Sequence, residues 1–242
     1  MKHFVINRIL QQNRDIYNYI ADDFSNTRKY VWNSLKNVTN YIDPGGQILD
    51  LGCGNGRLAE TFINLKVKYL GLDNSSKLIE IAQQKFKDNK NFKFQLGDII
   101  DLHLPNDQFN LVLLIAVLHH LPTKKLRQKV LQDVHQTLKP NGYLIITNWN
   151  LWSNMMNGKI RRRLFCLSDK WSRGVWRLND AYVPWKTKSK KQYRYIHSFT
   201  KGELKGLLKK AGFVVEKIYY ESGGQKKGIF VGGNLLAVAR KK

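Results

Sequence analysis

Cysteine is nearly absent from this chain: its 242 residues include two, Cys53 and Cys166. Two thiols make neither a disulfide framework nor a zinc site, so a packed core must supply the stability, and a reducing, cytoplasmic setting is expected. Long apolar runs are missing as well. Phe4-Val5-Ile6 breaks at Asn7 and Arg8, far short of the apolar core of a signal peptide. No stretch approaches the ~18 apolar residues that a membrane-spanning helix needs, and no membrane insertion is expected. Acidic residues are scarce too: 18 Asp+Glu stand against 41 Lys+Arg, a net charge of +23. Such an excess attracts polyanions, with nucleic acid or an anionic membrane surface as the usual partners. The 43% of hydrophobic residues is ordinary for one elaborated α/β domain of this length.

What the chain does have is Ile48-Leu49-Asp50-Leu51-Gly52-Cys53-Gly54-Asn55-Gly56-Arg57-Leu58, an apolar run that breaks into three glycines at alternate positions. Glycines turn the chain sharply out of a strand and let a ligand lie against its amides. A dinucleotide fingerprint reads G-x-G-x-x-G, whereas this one reads D-x-G-x-G-x-G. The stretch resembles the class I S-adenosylmethionine-dependent methyltransferases, whose cofactor has no diphosphate. Asp50, Gly52, Cys53, Gly54, Asn55 and Gly56 are therefore candidate cofactor residues.

Apolar residues recur at helical spacing from Asp15 to Ile42, which predicts two N-terminal helices with a break at Asp22–Arg28 and Ser25 or Asn26 as a cap. Pro44-Gly45-Gly46 leads into a first strand over 47–51. A short helix over Leu58–Leu65 and a second strand over Val67–Asp73 follow. Asp73, 17 positions beyond Gly56, is placed to accept hydrogen bonds from ribose hydroxyls, with Asn74 beside it; capping a helix over Ser75–Lys87 is a compatible role. Phe92–Leu96 alternates like a strand and runs into Asp98 and Ile99; the family resemblance puts this acid near the adenine amino group. Phe109–Ile115 reads as a strand buried on both faces, and its exit through Ile115, Ala116 and His120 opens toward the ligand edge of such sheets. A helix over Lys124–Leu138, a turn at Lys139–Gly142 and a strand over Tyr143–Asn148 complete the alternation. Lys201–Lys210 reads as a helix, Phe213–Tyr220 and Ile229–Arg240 contain strand-like runs, and Gly223-Gly224 and Gly232-Gly233 mark flexible or bulged points.

The expected fold is α/β: a doubly wound, Rossmann-like methyltransferase sheet of seven strands, mostly parallel with an antiparallel closing strand. One domain over 1–242 divides into N-terminal helices (13–42), a cofactor core (46–149), a basic aromatic insert (150–199) and a closing helix and strand pair (200–242). Asn157 to Arg194 in the insert carries twelve Lys/Arg against two Asp, a net of +10 out of the chain's +23. Phe165, Trp171, Trp176, Tyr182, Trp185 and Tyr193 interleave these charges. Cations for phosphates beside flat side chains for unpaired bases are the signature of single-stranded or loop RNA recognition. Arg161, Arg162, Arg163, Lys186, Lys188, Lys190, Lys191 and Arg194 are the candidate RNA contacts.

The chemistry is narrowed by what the exit of the fourth strand is not. Ala116-Val117-Leu118-His119-His120 lacks the Asn/Asp-Pro-Pro-aromatic turn of base-amine methylases, and neither cysteine sits in a nucleophile motif. A carboxylate acceptor needs no general base, since it is ionised at neutral pH; it needs a cation to orient it. A second resemblance points the same way. Phe24-Ser25-Asn26-Thr27-Arg28 with Trp32, the Ile115–Leu121 run, Asp180-Ala181-Tyr182-Val183-Pro184-Trp185 and Arg194-Tyr195-Ile196-His197-Ser198-Phe199 with Gly202-Glu203-Leu204 are similar to the tRNA wobble-uridine carboxymethyl methyltransferases. That resemblance implies esterification of 5-carboxymethyluridine in the anticodon stem-loop. Arg28 would hold the carboxylate or a neighbouring phosphate, and His119, Tyr195 and His197 would line the uridine pocket as the candidate catalytic set. It also implies the small zinc-binding activator protein of eukaryotic relatives as a partner. The chain departs from the family pattern at Tyr195-Ile196-His197, where two tyrosines usually precede the histidine. No metal site is expected in the chain. Methylation of a small metabolite or another RNA site, and RNA binding without turnover, are the alternative readings.

Overall fold

The computed structural model describes residues 1–153, 179–186 and 191–242. The chain runs α1 (His3–Tyr19), α2 (Ala21–Thr27), β1 (Gln47–Leu51), β2 (Lys68–Asp73), α3 (Ser76–Lys85), β3 (Phe92–Leu96), β4 (Phe109–Ile115), α4 (Lys124–Thr137), β5 (Leu138–Trp149), β6 (Asp180–Lys186), β7 (Lys191–His197), α5 (Lys201–Lys210), β8 (Phe213–Ser222), β9 (Gln225–Lys227) and β10 (Asn234–Lys241). Eight strands form the main sheet in the order β3-β2-β1-β4-β5-β10-β8-β9. Pairing is parallel from β3 to β5, and β10 lies antiparallel between β5 and β8. This is the expected doubly wound sheet with its antiparallel closing strand. The eighth strand is β9, a three-residue hairpin arm folded back on β8 through Gly223 and Gly224, both at positive φ, as a tight hairpin turn requires.

Two buried clusters sandwich the sheet. One packs α4 and α5 leucines and valines, such as Val130, Leu131, Leu204 and Leu208, against Val112, Leu114, Leu144 and Ile146. The other packs Leu58, Phe62, Ile79, Ala82 and Phe86 against Ile48, Leu111, Leu113 and Ile145. β4 is buried along nearly its whole length. Its one polar interior residue is paired, since Asn110 Oδ1 accepts the Gln47 amide at 3.0 Å where β1 begins.

The N-terminal region differs from its sequence pattern. α1 begins at His3 rather than near Asp15, and the break falls at Ile20, so that Asp22–Thr27, expected as the interruption, is helical and Ser25 and Asn26 lie inside α2. Residues 30–42 form two 3₁₀ turns, Asn33–Leu35 and Val38–Tyr41, because Asn33, Ser34, Asn37 and Asn40 offer the backbone local alternatives to an α-helix. α1 itself is fixed from a distance. Asn13 Oδ1 accepts the Tyr195 amide at 3.0 Å, its Nδ2 faces the Tyr195 carbonyl at 3.4 Å, and Gln12 Nε2 donates to the Tyr193 carbonyl at 3.1 Å. The helix thereby satisfies the open edge of β7, whose other edge pairs with β6, and this tertiary contact overrides the local pattern.

Candidate active site

The strand order reverses between β1 and β4, and at such a switch point the loops leaving the two strands part to make a crevice. The glycine loop lines one wall. Gly52 sits at φ +75°, and a Cβ there would collide with the Val117 side chain. Its amide and that of Cys53 donate to the Leu72 carbonyl at 2.7 and 3.0 Å, folding the loop over the end of β2. Asp73 then joins loop to helix: Oδ2 accepts the Gly54 amide and Oδ1 the Ser75 amide, both at 2.9 Å. Burial raises the Asp73 carboxyl, and these amides oppose the rise. Ser75, not Asp73, caps α3.

Asp50, Gly52, Cys53, Gly54, Asn55, Asp73, Asn74, Asp98, Ile99, Ile115, Ala116 and His120 all line one cavity. Gly56 does not: its φ of +72° turns it toward Phe86 and Phe94, each 3.1 Å from where a Cβ would stand, so it serves packing behind the loop. Cys53 is buried, and burial together with Asp73 and Asp50 pushes its thiol well up, which excludes it as a thiolate nucleophile. Ala116 leaves β4 at φ +59°, held by its amide on the Thr147 carbonyl and Oγ1 at 3.0 and 3.1 Å. A left-handed alanine is strained, and this one bends the exit of β4 into the cavity.

The cavity is acidic at its base. Asp50 accepts from the Tyr69 hydroxyl, and burial pushes its carboxyl up to about 7. Asp98 meets Arg14 of α1 at 2.8 Å and accepts the Ile100 amide at 3.2 Å. The mouth is cationic and aromatic. Arg28 lies over the Trp185 ring at 5.0 Å, Arg194 over Trp185 and Trp149 at 4.8 and 4.9 Å, and Arg57 over Trp32 at 5.1 Å. Burial lowers the Arg28 guanidinium and the neighbouring Arg194 lowers it further, while burial takes Arg57 to about 10. Among the described residues none of the three forms an ion pair.

His120 holds α1 and β7 together. Its Nδ1 donates to the Tyr195 carbonyl at 2.9 Å, so the ring carries its proton there and Nε2 accepts from the Tyr17 hydroxyl at 2.9 Å. Burial, with Arg194 adding to it, lowers the ring to about 4, and it is neutral at physiological pH.

Of the four candidate catalytic residues the structure brings one, Arg28, to the cavity. His119 is fully buried behind it, its Nδ1 accepting the Trp149 amide at 3.2 Å. Tyr195 is fully buried too, its hydroxyl 3.4 Å from the Pro122 carbonyl and its ring beside Tyr182. His197 bridges Asp180 at 2.6 Å and Glu203 at 2.9 Å away from the cavity. None of the three lines the cavity; each packs against the elements that support its walls. Arg194, expected as a surface RNA contact, is 3% exposed and stacked among the mouth's aromatics. Lys186 and Lys191 close the β6–β7 hairpin; Arg161, Arg162, Arg163, Lys188 and Lys190 lie outside the described residues, as does Cys166. Arg14, Tyr17 and Trp149 are cavity residues that sequence reasoning missed, since only tertiary contacts bring α1 and the end of β5 here.

A family model described as a methyltransferase domain matches residues 42–212. A tRNA (carboxymethyluridine(34)-5-O)-methyltransferase of Schizosaccharomyces pombe is 29% identical over 222 residues, covering 81% of this chain and 86% of that protein. One of Arabidopsis thaliana is 32% identical over 134 residues, covering 55% of this chain and 31% of that longer protein. Among solved structures, an S-adenosylmethionine-dependent methyltransferase of Methanosarcina mazei superposes with a TM-score of 0.69 at 20% identity, covering 84% and 96% of the two chains. A Haloferax volcanii methyltransferase in complex with the Trm112 methyltransferase activator superposes with a TM-score of 0.63 at 16% identity, covering 94% and 96%.

The cavity fits the cofactor of such enzymes on its own terms. Carboxylates at Asp50, Asp73 and Asp98 repel a diphosphate but accept hydroxyl and amine protons and favour a positive charge. A ligand carrying a sulfonium, an ammonium and ribose hydroxyls is what such a lining selects, and with residues 42–212 matching the domain the chain belongs to the S-adenosylmethionine-dependent methyltransferase family.

Proposed function

We propose that this methyltransferase esterifies the carboxylate of 5-carboxymethyluridine at the wobble position of tRNA. The observation that carries the reading is Arg28 in the cavity wall with the buried Arg194 behind it, both stacked on one indole and without a described carboxylate partner. Two guanidiniums held side by side repel each other, and an anionic group between them removes that cost. Trp185 is anchored by its Nε1 donating to Asp23 Oδ2 at 2.5 Å, so the cations are held on a rigid platform. S-adenosylmethionine supplies a methyl group already activated by the sulfonium charge. The protein's part is then orientation: a guanidinium fork presents the acceptor carboxylate in one pose, and no general base is required. The neutral His120 and the buried His119 are consistent with that economy. Asp73 would hold the ribose and Asp98 the adenine end of the cofactor. The overall charge of +23 and the names of the relatives support a tRNA substrate, and hence a cytoplasmic site of action. The activator-bound neighbour supports testing a small activator subunit as a partner. Among the described residues no helix is long and apolar enough to cross a membrane.

The test is transfer of labelled methyl into tRNA lacking the ester, followed by nucleoside mass analysis, with and without the activator. The expected product is the methyl ester of 5-carboxymethyluridine. Arg28→Ala should lower the rate on the order of 10- to 100-fold, the range of a lost charge-assisted hydrogen bond, while cofactor binding is retained. Label in a different nucleoside, or in a small carboxylic acid instead of tRNA, overturns the reading.

A further inference from the structure

We propose that the exposed lysines of α4 and α5 form an RNA-docking surface outside the cavity, which receives backbone phosphates of the same tRNA whose nucleotide enters it. α5 buries Leu204, Leu207 and Leu208 against the sheet and leaves Lys201, Lys205 and Lys209 exposed. These positions are one turn apart, so the three ammonium groups form a row of about 12 Å. Lys124 and Lys125 are exposed in the first turn of α4, which contains no acidic residue. The two helices run parallel and in register: Gln128 Nε2 donates to the Leu207 carbonyl at 3.4 Å, Arg127 meets Glu203 at 3.7 Å, and further along the His135 ring meets Phe213 at 5.0 Å. Their first turns therefore lie at the same end of the pair, which puts Lys124, Lys125 and Lys201 at one edge of the sheet, with Lys205 and Lys209 following along α5.

Local physics disfavours this arrangement. Lys124, Lys125 and Lys201 stand in first helical turns, where a cation opposes the helix dipole, and like charges one turn apart along α5 repel. None of the five lysines has a carboxylate partner among the described residues, whereas Lys129, the next exposed lysine of α4, pairs with Asp133 at 2.7 Å. A polyanion turns the repulsion into affinity. The face also lies at the correct edge. Lys201 Nζ stands 5.1 Å over the ring of Tyr220 near the C-terminal end of β8, and Leu121, three residues before Lys124, lines the cavity. A strand leaving the cavity over this edge has Lys124 and Lys201 nearest to it, with Lys205 and Lys209 further along α5.

The inference rests on the tRNA reading, and the experiment separates the two. Binding of bulk tRNA to the full chain is measured by fluorescence anisotropy from 50 to 200 mM KCl, for wild type and for Lys201→Gln/Lys205→Gln/Lys209→Gln. Each lost phosphate contact reduces the log–log salt slope by about 0.7–0.9, so the triple variant should have a slope shallower by about 2 and at least tenfold weaker binding at 50 mM. Its cofactor affinity should match wild type, and its Tm should lie within a few degrees of wild type, since relief of the mutual repulsion offsets the lost Lys201–Tyr220 contact. A wild type that binds tRNA with an unchanged slope in the variant overturns the surface alone. A wild type that ignores tRNA at 50 mM overturns the substrate reading and the surface with it. Binding of the wild type to phosphatidylserine vesicles but not to tRNA assigns the lysines to a membrane and overturns the proposal as well.

Discussion

Replacing His197 by alanine should unfold the hairpin's anchor rather than stop the chemistry. The imidazole Nδ1 lies 2.6 Å from Asp180 and Nε2 2.9 and 3.0 Å from the two oxygens of Glu203, while Arg127, fully buried, approaches Glu203 at 3.7 Å and stacks over Phe199. This network ties β6 and β7 to the first turns of α4 and α5. Asp180 is 0% exposed, so removing the ring leaves a carboxylate in the interior without its partner, a change that costs about 3–5 kcal/mol. For a chain of this size each kcal/mol moves Tm by roughly 2–4 °C, which gives a fall on the order of 10 °C. The double variant Asp180→Asn/His197→Ala should recover part of the loss, since the stranded charge is gone. A pH arm adds a sign. Burial raises the Glu203 carboxyl, but the His197 hydrogen bond and the charges of His197 and Arg127 outweigh it and leave it below its ordinary 4.5. A depressed carboxyl contributes stability above its unfolded value that is lost as pH falls through the folded one, so the wild type should lose this contribution below about pH 4.5 and the variant should show a flatter acid limb. Scanning calorimetry reads both. A Tm unchanged within about 2 °C, with methyl transfer abolished well below it, would refute the argument and return His197 to the substrate.

Cofactor binding should depend on pH through Asp50. With its carboxyl raised to about 7 by burial, it is protonated in the free enzyme below that pH, and a cationic ligand binds the ionised form better; affinity for S-adenosylmethionine measured by calorimetry should strengthen as pH rises through about 7, and Asp50→Asn should remove that dependence. Gly52→Ala combines a positive φ with a collision on Val117, so a loss above about 1 kcal/mol with impaired cofactor binding is expected from denaturant melts and titration. Gly202 and Gly206 lie in α5 with nothing within 4 Å of an added Cβ, and replacing either with alanine should stabilise the chain by about 1 kcal/mol; a destabilised variant would mean that the helix is not formed as described.

Local chemistry made the cofactor half of the site readable from sequence. Three glycines at alternate positions and an acid at the end of the next strand act through backbone geometry that neighbours in sequence determine, and the limits of β3, β4 and α5 coincide with the periodic runs over Phe92–Leu96, Phe109–Ile115 and Lys201–Lys210. The rest of the cavity wall is made by long-range contacts. Arg14 reaches Asp98 across 84 residues and Tyr17 reaches His120 across 103, and no spacing rule joins such pairs. His119 and His120 are adjacent and chemically identical; a 3₁₀ turn over Leu118–His120 sends one ring to the Trp149 amide and the other to the cavity.

One signal for the mouth was present and reads differently once β7 is known to be a strand. Side chains alternate across a strand, so Tyr195 and His197 share a face and Arg194 takes the other. Grouping the two aromatics with the substrate assigns the opposite face to the cation, as a surface contact for phosphate. The pleat requires the groups to separate, and the partners decide which goes where: α1 and the Asp180–Glu203 network take Tyr195 and His197, leaving Arg194 to stack on Trp149 and Trp185 beside Arg28. A basic residue inside an aromatic strand, bracketed at two-residue spacing by residues with buried partners, is therefore better read as a cation held in place by packing than as one more charge on the surface toward a polyanion.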